Sequence, residues 1–346
     1  MATIADVAKH AGVGLATVSR VINGSSQVRD ATRARVLSSI EVLDYHPNPL
    51  ARGLSRGRCQ TLGVVVPFFT HASAVERLRG VVAAIDESRY DLVLFNVESP
   101  VHRDEHLASI TGRHRADGLL VMSMPIPQRD LDRLVGAGVP VVLVDARGKG
   151  VPAVVTDDVV GGRLATQHLV SLGHERIAFI GDDPKNSFGF TSSAQRERGY
   201  AAVLAEAGLE FRPELVRHGG HDRQVAHGLA EQLLDEHDPP TAIFASSDVQ
   251  AMGVLGAAAA RGLRVPDDLS VVGFDDIELS TYIGLTTVRQ PLFDSGQLGA
   301  RLLLGAVAGE VPPAVEHPVP LQLVERNTTA GLLRDAAMTG RSAHRG

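Results

Sequence analysis

Nine polar or charged side chains lie just beyond a series of apolar segments: His71, Ser73, Asn96, Ser123, Asp145, Arg196, His221, Ser247 and Asp275. Their chemistry suits the binding of a small polar molecule. A carboxylate such as Asp275 accepts hydrogen bonds from two hydroxyls, and the guanidinium of Arg196 suits hydroxyl pairs, carboxylates or phosphates. His221 can stack or donate. The alternatives to ligand binding are a helix cap for Asp275, a surface charge for Arg196 and a purely structural role for His221. Aromatic residues make up only 4% of the chain, so few rings can stack on a sugar.

Motifs for enzyme chemistry are absent from the sequence. It has no Gly-x-Ser-x-Gly elbow, no His-Glu-x-x-His pair and no Gly-x-x-x-x-Gly-Lys-Ser/Thr loop. The histidine pairs His102/His106 and His168/His174 fit solvated positions better than a metal site. The single Cys59 excludes a disulfide framework. We therefore expect a binding protein without catalytic residues, cofactor or metal.

The segments that would position the nine side chains alternate between strand-like and helix-like patterns from residue 61 onward. Strand-like runs are 62–66, 92–97, 118–122, 139–144, 177–180, 242–245 and 270–274, and helical patterns are 75–87, 162–172, 197–207, 225–234 and 250–261. Unbroken apolar strands predict parallel sheets that are covered on both faces. Two blocks of about four such units predict an α/β core of two doubly wound lobes. Ligands of such sheets bind at the carboxyl ends of the strands, in the cleft between lobes.

A smaller, different region precedes the core. Residues 3–45 read as three short helices, with a capping box from Thr3 to Asp6 and a helix end at Gly12. The 20 residues from Ile4 to Asn23 have the small, turn-permissive and apolar positions of a helix-turn-helix. An ordinary three-helix bundle with a glycine turn is the alternative. In the third helix, Val36, Leu37, Ile40 and Leu43 form the expected apolar face.

Charge also divides the chain of 346 residues. Residues 1–58 hold eight basic and four acidic side chains, a net charge of +4, whereas the other 288 residues have a net charge of −10. A basic head on an acidic body is typical of a polyanion-binding module, although a solvated surface is equally compatible. The start of the chain lacks a secretion signal, and no apolar run reaches the length of a membrane helix. We expect a cytoplasmic, nucleoid-associated protein.

Four ordered segments of the head resemble the lactose-repressor (LacI/GalR) family of bacterial regulators. They are Thr3–Ala8, Ala11–Val13, Thr17–Gly24 and Tyr45–Asn48. The resemblance implies a homodimeric, DNA-binding transcription regulator with a periplasmic-binding-protein-like core. It assigns base reading to Leu15, Ala16 and Arg20, on the side of the second helix opposite Val18 and Val21. It assigns phosphate contacts to Thr3, Thr17, Ser19, Asn23 and Gln27. One departure is Gly14, where the family usually has serine.

The resemblance also makes the proline- and glycine-containing linker a hinge helix. Asn48 would begin it after Pro47, Ala51 would supply the close contact with a second copy, and Leu54 would enter a base step in the minor groove. The alternative is a flexible linker with an incidental leucine. Paired hinges predict a palindromic operator with a deformable central step.

Core landmarks such as Leu62–Pro67 and Val271–Asp276 continue the resemblance. They imply a head at 1–46, a hinge at 47–58, a core at 59–332 and a tail at 333–346. The first lobe would comprise about 59–156 and 288–317, and the second about 157–287 and 318–332. The nine polar residues match the family's effector contacts, although Ser73 and Ser247 stand where relatives often have Phe and Asn. Helices 75–87 and 250–261 are candidates for the dimer face, and the tail lacks a heptad repeat.

The sequence thus predicts an allosteric repressor that binds a palindromic DNA operator as a homodimer and responds to a small polar effector, a sugar or sugar derivative. Two alternatives stay open: a regulator that needs a co-repressor, and a DNA-independent small-molecule sensor. A secreted binding protein would require a signal that the sequence does not show.

Overall fold

The computed structural model describes residues 2–46, 59–86, 88–113, 116–310 and 312–332. The predicted hinge residues Asn48, Ala51 and Leu54 and the predicted tail at 333–346 lie outside the described residues. No described helix combines the length and apolarity that crossing a membrane requires.

The head consists of the three predicted helices, α1 (Ile4–Ala11), α2 (Leu15–Ile22) and α3 (Asp30–Val42). The predicted capping box is present, because the Thr3 hydroxyl accepts from the Asp6 backbone while the Asp6 carboxylate accepts from the Thr3 backbone. Gly12 ends α1 in the left-handed conformation at φ 61°. Glycine adopts that conformation without a Cβ clash, so the chain can turn into α2 at once.

One apolar core holds the head together. Its buried members are Val7, Ala8, Ala11, Val18, Val21, Val28 and Val36. The predicted inward position of Leu37 is wrong, because its side chain is 51% exposed. Ser39 is buried on α3 instead, where its hydroxyl donates to the Arg35 carbonyl and lies 3.0 Å from His10 Nδ1. A satisfied hydroxyl can occupy such a position, and apolar spacing alone could not reveal this.

The first lobe is built on a six-stranded, all-parallel sheet. Its strands are β1 (Thr61–Pro67), β2 (Asp91–Val97), β3 (Gly118–Met122), β4 (Val141–Val144), β5 (Ala153–Val155) and β11 (Glu316–Pro318), in the spatial order β11-β5-β4-β3-β1-β2. One face packs against α4 (Ala72–Ile85) and α12 (Leu292–Ala308), and the other against α5 (Pro100–Arg113) and α6 (Gln128–Gly136). Coverage on both faces explains the unbroken apolar runs.

The second lobe repeats this plan. Its sheet has the order β12-β10-β9-β8-β6-β7, with β6 (Ile177–Asp182), β7 (Val216–Gly219), β8 (Ala242–Ala245), β9 (Ser270–Asp275), β10 (Thr286–Arg289) and an antiparallel edge strand, β12 (Gln322–Val324). Its helices are α7 (Asp158–Ser171) and α8 (Ser192–Glu206) on one face, α9 (Arg223–Leu234) and α10 (Asp248–Ala260) on the other, and the short α11 (Glu278–Tyr282). The predicted α/β architecture of two doubly wound lobes is confirmed.

The chain crosses between the lobes three times: after β5, after β10 and after β11. Two of the lobe boundaries expected from the sequence, at 287/288 and at 317/318, fall inside the strands β10 and β11. Because β10 pairs with β9 as far as Arg289, and β11 pairs with β5 as far as Pro318, each strand stays in one sheet to its end. The second and third crossings therefore begin at Gln290 and Val319.

Glycines allow one pair of helices in each lobe to cross with their backbones in contact. A Cβ on Gly296 of α12 would lie 2.0 Å from the carbonyl oxygen of Arg77 on α4. In the second lobe, a Cβ on Gly162 of α7 would lie 2.0 Å from the carbonyl oxygen of Arg196 on α8. Only glycine fits either position, and both crossings fix the backbone of an arginine that reaches the cleft between lobes.

Candidate functional site

The cleft between the lobes contains two adjoining chambers at the carboxyl ends of the strands. One has a volume of about 140 Å³ and is lined by seven of the nine predicted side chains: His71, Ser73, Ser123, Asp145, Arg196, His221 and Asp275. The other, of about 230 Å³, shares Ser123, Asp145, Phe190 and Ser192 with the first. The structure thus gathers residues spread over some two hundred positions of sequence into one polar cavity.

The first-lobe wall is organised by the buried guanidinium of Arg77. It lies 3.0 Å from the Asp145 carboxylate and donates to the Ser123 hydroxyl at 3.2 Å and to the Gln290 side-chain oxygen at 3.0 Å. Gln290 in turn donates to Asp275 at 2.6 Å and accepts from the Thr156 hydroxyl. Because Gln290 lies at the second crossing, this network links the walls of both lobes.

The second-lobe wall centres on Arg196. Its guanidinium pairs with Asp158 at 2.8 Å, donates to the Ser246 carbonyl and lies 3.6 Å above the ring of Phe274. Burial opposes the charge of Arg196, but Asp158 and Asp275 raise its pKa above the ordinary value. Burial raises the pKa of the Asp158 carboxyl. The alternative of a surface charge for Arg196 is therefore excluded, since the residue is buried and its guanidinium is bound within its own lobe.

Two histidines from opposite lobes stack across the cleft. The ring centroids of His71 and His221 lie 5.4 Å apart at an interplanar angle of 22°, and Phe68 also stacks on His71, with a centroid distance of 5.2 Å. His221 Nδ1 lies 3.0 Å from Asp182. Burial lowers the pKa of His71, as does the charge of His221. Burial also opposes protonation of His221, but the Asp182 hydrogen bond raises its pKa overall, so His221 binds a proton more readily than His71 does.

Strained backbone marks the same cleft. Phe68, Ser123, Asp145 and Asp275 have positive φ angles of 44°, 50°, 55° and 121°. Each stands at or just after the carboxyl end of a strand, and each lines the chamber of about 140 Å³. Non-glycine residues hold such angles only where the surroundings over-determine them, and they cluster at binding sites. The turns aim their side chains into the cavity at a conformational cost, which favours a binding role.

The remaining two predicted cleft residues lie elsewhere. Asn96 accepts from the backbone of Phe69 and donates to Glu98, so its amide organises a loop beside the cavity. Ser247 is fully buried and caps α10, where its hydroxyl accepts from the Gln250 backbone. Neither lines the two chambers described here. A residue that follows a strand can begin the next helix instead of facing a ligand, which explains Ser247.

Sequence reasoning missed several cavity residues. Asp182 ends β6 and Gln290 follows β10, so the strand-end rule could have found both. Arg77 lies inside a helix, where the only signal was a charge within the apolar stripe of Ala74 and Val81. Phe190 and Ser192 come from a loop and a helix start that no pattern in the sequence distinguishes.

The head presents a solvent-exposed face on α2. Leu15, Ala16 and Arg20 are exposed, with Leu15 at 52%, while Val18 and Val21 of the same helix are buried. The residues predicted to contact phosphates are exposed or half-buried around this face: Thr3, Thr17, Ser19, Asn23 and Gln27. Asn23 donates to the Ser19 hydroxyl at 3.3 Å. Gly14 caps α2 without any side-chain hydrogen bond, as its lack of a side chain requires.

Histidines do not form a metal site among the described residues, where no group of three His, Cys, Asp or Glu side chains could hold an ion. The prediction of solvated positions is wrong for two of them. His168 and His174 are buried and hydrogen-bonded to Thr329 and to Thr241 and Ser270. Burial lowers the pKa of both rings, so they act as neutral core residues.

Comparisons with known proteins decide the family. A model of bacterial regulatory proteins of the lacI family matches residues 3–48, and a model of the periplasmic binding protein-like domain matches residues 166–329. Catabolite control protein A of Priestia megaterium is 36% identical over 334 residues, which cover 94% of this chain and 99% of that protein. The chain belongs to the LacI family.

Solved structures of LacI-family proteins share the whole architecture. The lac repressor dimer bound to operator and the anti-inducer ONPF has a TM-score of 0.80 and 28% identity, covering 95% of this chain and 99% of that one. The complex of transcriptional regulator CelR with cellobiose has a TM-score of 0.69 and 33% identity, with coverages of 95% and 100%. The predicted family, fold and class are confirmed: the protein is a transcriptional repressor of the LacI family and not an enzyme.

Proposed function

We propose that this LacI-family repressor binds a palindromic operator as a homodimer and that a small polar molecule in the cleft, a sugar or sugar derivative, changes its affinity for DNA. The observation that carries the proposal is the exposed face of α2, with Leu15, Ala16 and Arg20 opposite a buried face that anchors the helix. In this proposal the chain is divided into a DNA-binding head at 1–46, a hinge at 47–58, an effector-binding core at 59–332 and a tail at 333–346.

Each exposed residue of α2 has a chemical counterpart in the major groove. The Arg20 guanidinium matches the two acceptors of a guanine edge, and Leu15 and Ala16 match thymine methyl groups. Thr3, Thr17, Ser19, Asn23 and Gln27 would contact phosphates and fix the register of the helix without reading sequence. The Thr3 hydroxyl donates to Asp6 at 2.7 Å, so a phosphate oxygen would have to take over that hydrogen bond or accept from the backbone amides at the start of α1.

The hinge assignment rests on the sequence resemblance. Asn48 would begin the helix, Ala51 would contact the second copy, and Leu54 would wedge into a base step. Two hinges that meet on one duplex require two heads, so the operator would be palindromic.

A dimer is supported by apolar residues that the core leaves exposed. On α4, Val75 and Val82 are exposed, and Leu279 and Tyr282 of α11 continue the surface near Val75. The outer face of α10 carries small residues, such as Gly256 and Ala259, that allow close approach of another helix. The similar lac repressor structure is described as a dimer on its operator. Both predicted helices therefore remain candidates for the dimer face.

An effector role for the cleft is supported by its hydrogen-bonding groups and by the similar regulator that is solved with cellobiose. Seven predicted residues would contact the effector: His71, Ser73, Ser123, Asp145, Arg196, His221 and Asp275. Of the other two predicted contacts, Asn96 would act through the loop that it braces, and Ser247 caps α10 instead of contacting the effector. The effector would either release DNA or act as a co-repressor.

The proposal is tested by selecting random duplex DNA with the purified, ligand-free chain at about 0.15 M salt, because lower ionic strength would favour non-specific binding by the basic head. An enriched palindrome with a fixed central step is the expected result. If no sequence is enriched with or without candidate effectors, the chain is a DNA-independent sensor and the proposal is wrong.

Leu54→Ala then tests the hinge on the selected duplex. We expect specific affinity to fall at least about tenfold, because the kinked base step loses its wedge, while sugar binding stays unchanged. Leu37→Ala is the matched control, since Leu37 is an exposed leucine of the head with no assigned contact. Equal affinities of the two variants would contradict a hinge role for Leu54.

A further inference from the structure

An arginine in the first-lobe wall has no place in the predicted site. Arg77 lies on the buried face of α4 between Ala74 and Val81, and its side chain is only 3% exposed. The contact of its carbonyl with Gly296 fixes the backbone from which the side chain extends. The guanidinium forms part of the cavity wall. Burying a charged side chain on the apolar face of a helix costs free energy, so we expect Arg77 to have a function at this position.

The hydrogen bonds of this guanidinium are incomplete. Its two terminal nitrogens bind Ser123, Gln290 and Asp145. The Nε–H, in contrast, has no partner among the described residues, although the atom is buried. An arginine offers five donors in a fixed fork, and a buried donor without an acceptor is destabilising. A ligand oxygen that accepts from Nε would supply the missing acceptor, while the two terminal nitrogens keep Ser123, Gln290 and Asp145.

The charges of the cavity restrict what that ligand can be. Each guanidinium of its lining is already neutralised: Arg77 by Asp145, Arg196 by Asp158 and Arg147 by Glu316, at 3.0, 2.8 and 3.1 Å. The other two lining carboxylates are Asp182, which lies 3.0 Å from His221, and Asp275, which accepts from Gln290. A phosphate or carboxylate would therefore find no cation in the lining that a carboxylate does not already neutralise.

We propose that Arg77 is a further residue by which the first lobe holds the effector, and that the effector is an uncharged polyhydroxyl compound rather than its phosphorylated or carboxylated form. This inference rests on the proposed effector role of the cleft. A hydroxyl fits both sides of the wall, because its oxygen accepts from Arg77 and its hydrogen is donated to Asp145 or Asp275. A phosphate oxygen would gain the same donor but would face both carboxylates.

The test uses calorimetric titration of the full chain with neutral sugars (ribose, glucose, cellobiose) and with ribose 5-phosphate, glucose 6-phosphate and inorganic phosphate. We expect a neutral sugar to bind, and the phosphorylated form of a binding monosaccharide to bind at least about tenfold more weakly. Tighter binding of a phosphorylated sugar, or binding of none of the neutral sugars, would overturn the assigned ligand class.

Arg77→Lys tests the residue itself. Lysine keeps the positive charge beside Asp145 but loses the planar fork, so we expect a folded chain whose thermal unfolding midpoint falls by a few degrees and whose sugar binding is at least about tenfold weaker. Arg79→Lys is the matched control, because Arg79 is exposed on the same helix and pairs only with Glu76. Equal sugar affinity in both variants would show that Arg77 does not contact the ligand. Selection of operator DNA by the ligand-free chain does not depend on this result, so failure of the two proposals can be told apart.

Discussion

The head and the cleft place their functional side chains in opposite ways. In the head, the proposed DNA-reading residues stand on one short helix, point outward and make few contacts within the protein. In the cleft, the proposed effector contacts come from strand ends and helices of both lobes and are bound to one another. We infer that substitutions in the head change function alone, whereas substitutions in the cleft change function together with local stability.

The largest effect is expected at Asp275, the buried carboxylate that accepts from Gln290. Asp275→Asn should abolish the response of DNA binding to a sugar, because the amide places a donor where a hydroxyl must donate. Affinity of the ligand-free chain for its operator should survive. Fluorescence anisotropy of labelled operator, with and without sugar, measures both. The control is Asp267→Asn, at an exposed carboxylate that pairs with Arg264. A normal sugar response of Asp275→Asn would contradict the proposal that Asp275 contacts the effector in the cleft.

The complementary substitution in the head is Arg20→Ala. Loss of a bidentate guanine contact should weaken specific binding by about 1–3 kcal/mol and relax the preference at one operator position. The unfolding midpoint should not move, because the side chain is exposed. Arg35→Ala, at an exposed arginine of α3, serves as the control. If both variants weaken binding equally and without change in sequence preference, Arg20 contributes only charge.

The same contrast explains what could be predicted from sequence. Spacing of three or four residues places Val18 and Val21 on one face of α2 and Arg20 on the other, so local periodicity is sufficient to predict the exposed face of this helix. The two parallel sheets could be predicted in a similar way, from the unbroken apolar runs of their strands. Arg77 and Gln290 meet only because the chain returns to the first lobe after β10, and no local pattern encodes that meeting. Leu37 and Ser247 failed for the related reason that tertiary packing, rather than spacing, decides burial.

A smaller effect is expected from pH. The raised pKa of His221 and the lowered pKa of Asp182 stabilise the folded cleft while the histidine is protonated and the aspartate is ionised. The stabilisation by His221 is fully present below its ordinary pKa of 6.5 and is lost as pH rises through its raised value; that of Asp182 is lost as pH falls through its lowered value.

Thermal unfolding of the wild type and of His221→Asn measures this contribution. The difference between their midpoints should be greatest below the ordinary pKa of 6.5 and should shrink as the pH rises through the raised pKa of His221. The other charged and titratable groups that face His221 are His71, Arg196 and Asp275, and they are the same in the wild type and in His221→Asn. A difference that grows with pH would show that His221 is neutral in the folded state.

The smallest effect is expected at Gly14, the N-cap of α2. Gly14→Ser adds a hydroxyl that can accept from the first turn, which stabilises a helix by a few tenths of a kcal/mol relative to glycine. It also offers one more contact to phosphate, so operator affinity should rise about twofold. Denaturant unfolding and anisotropy titration measure the two changes. Weaker operator binding by the variant would show that the backbone at Gly14 must approach DNA more closely than a side chain permits.

Coupling between the two regions is the central claim, and linkage tests it most directly. Operator affinity is measured with and without a saturating neutral sugar, and sugar affinity is measured with and without saturating operator, on the selected duplex. We predict that both affinities change by the same factor, corresponding to about 1–3 kcal/mol, as reciprocity requires. An operator affinity that no cleft-binding sugar alters would contradict the account, since the head and the cleft would then act independently.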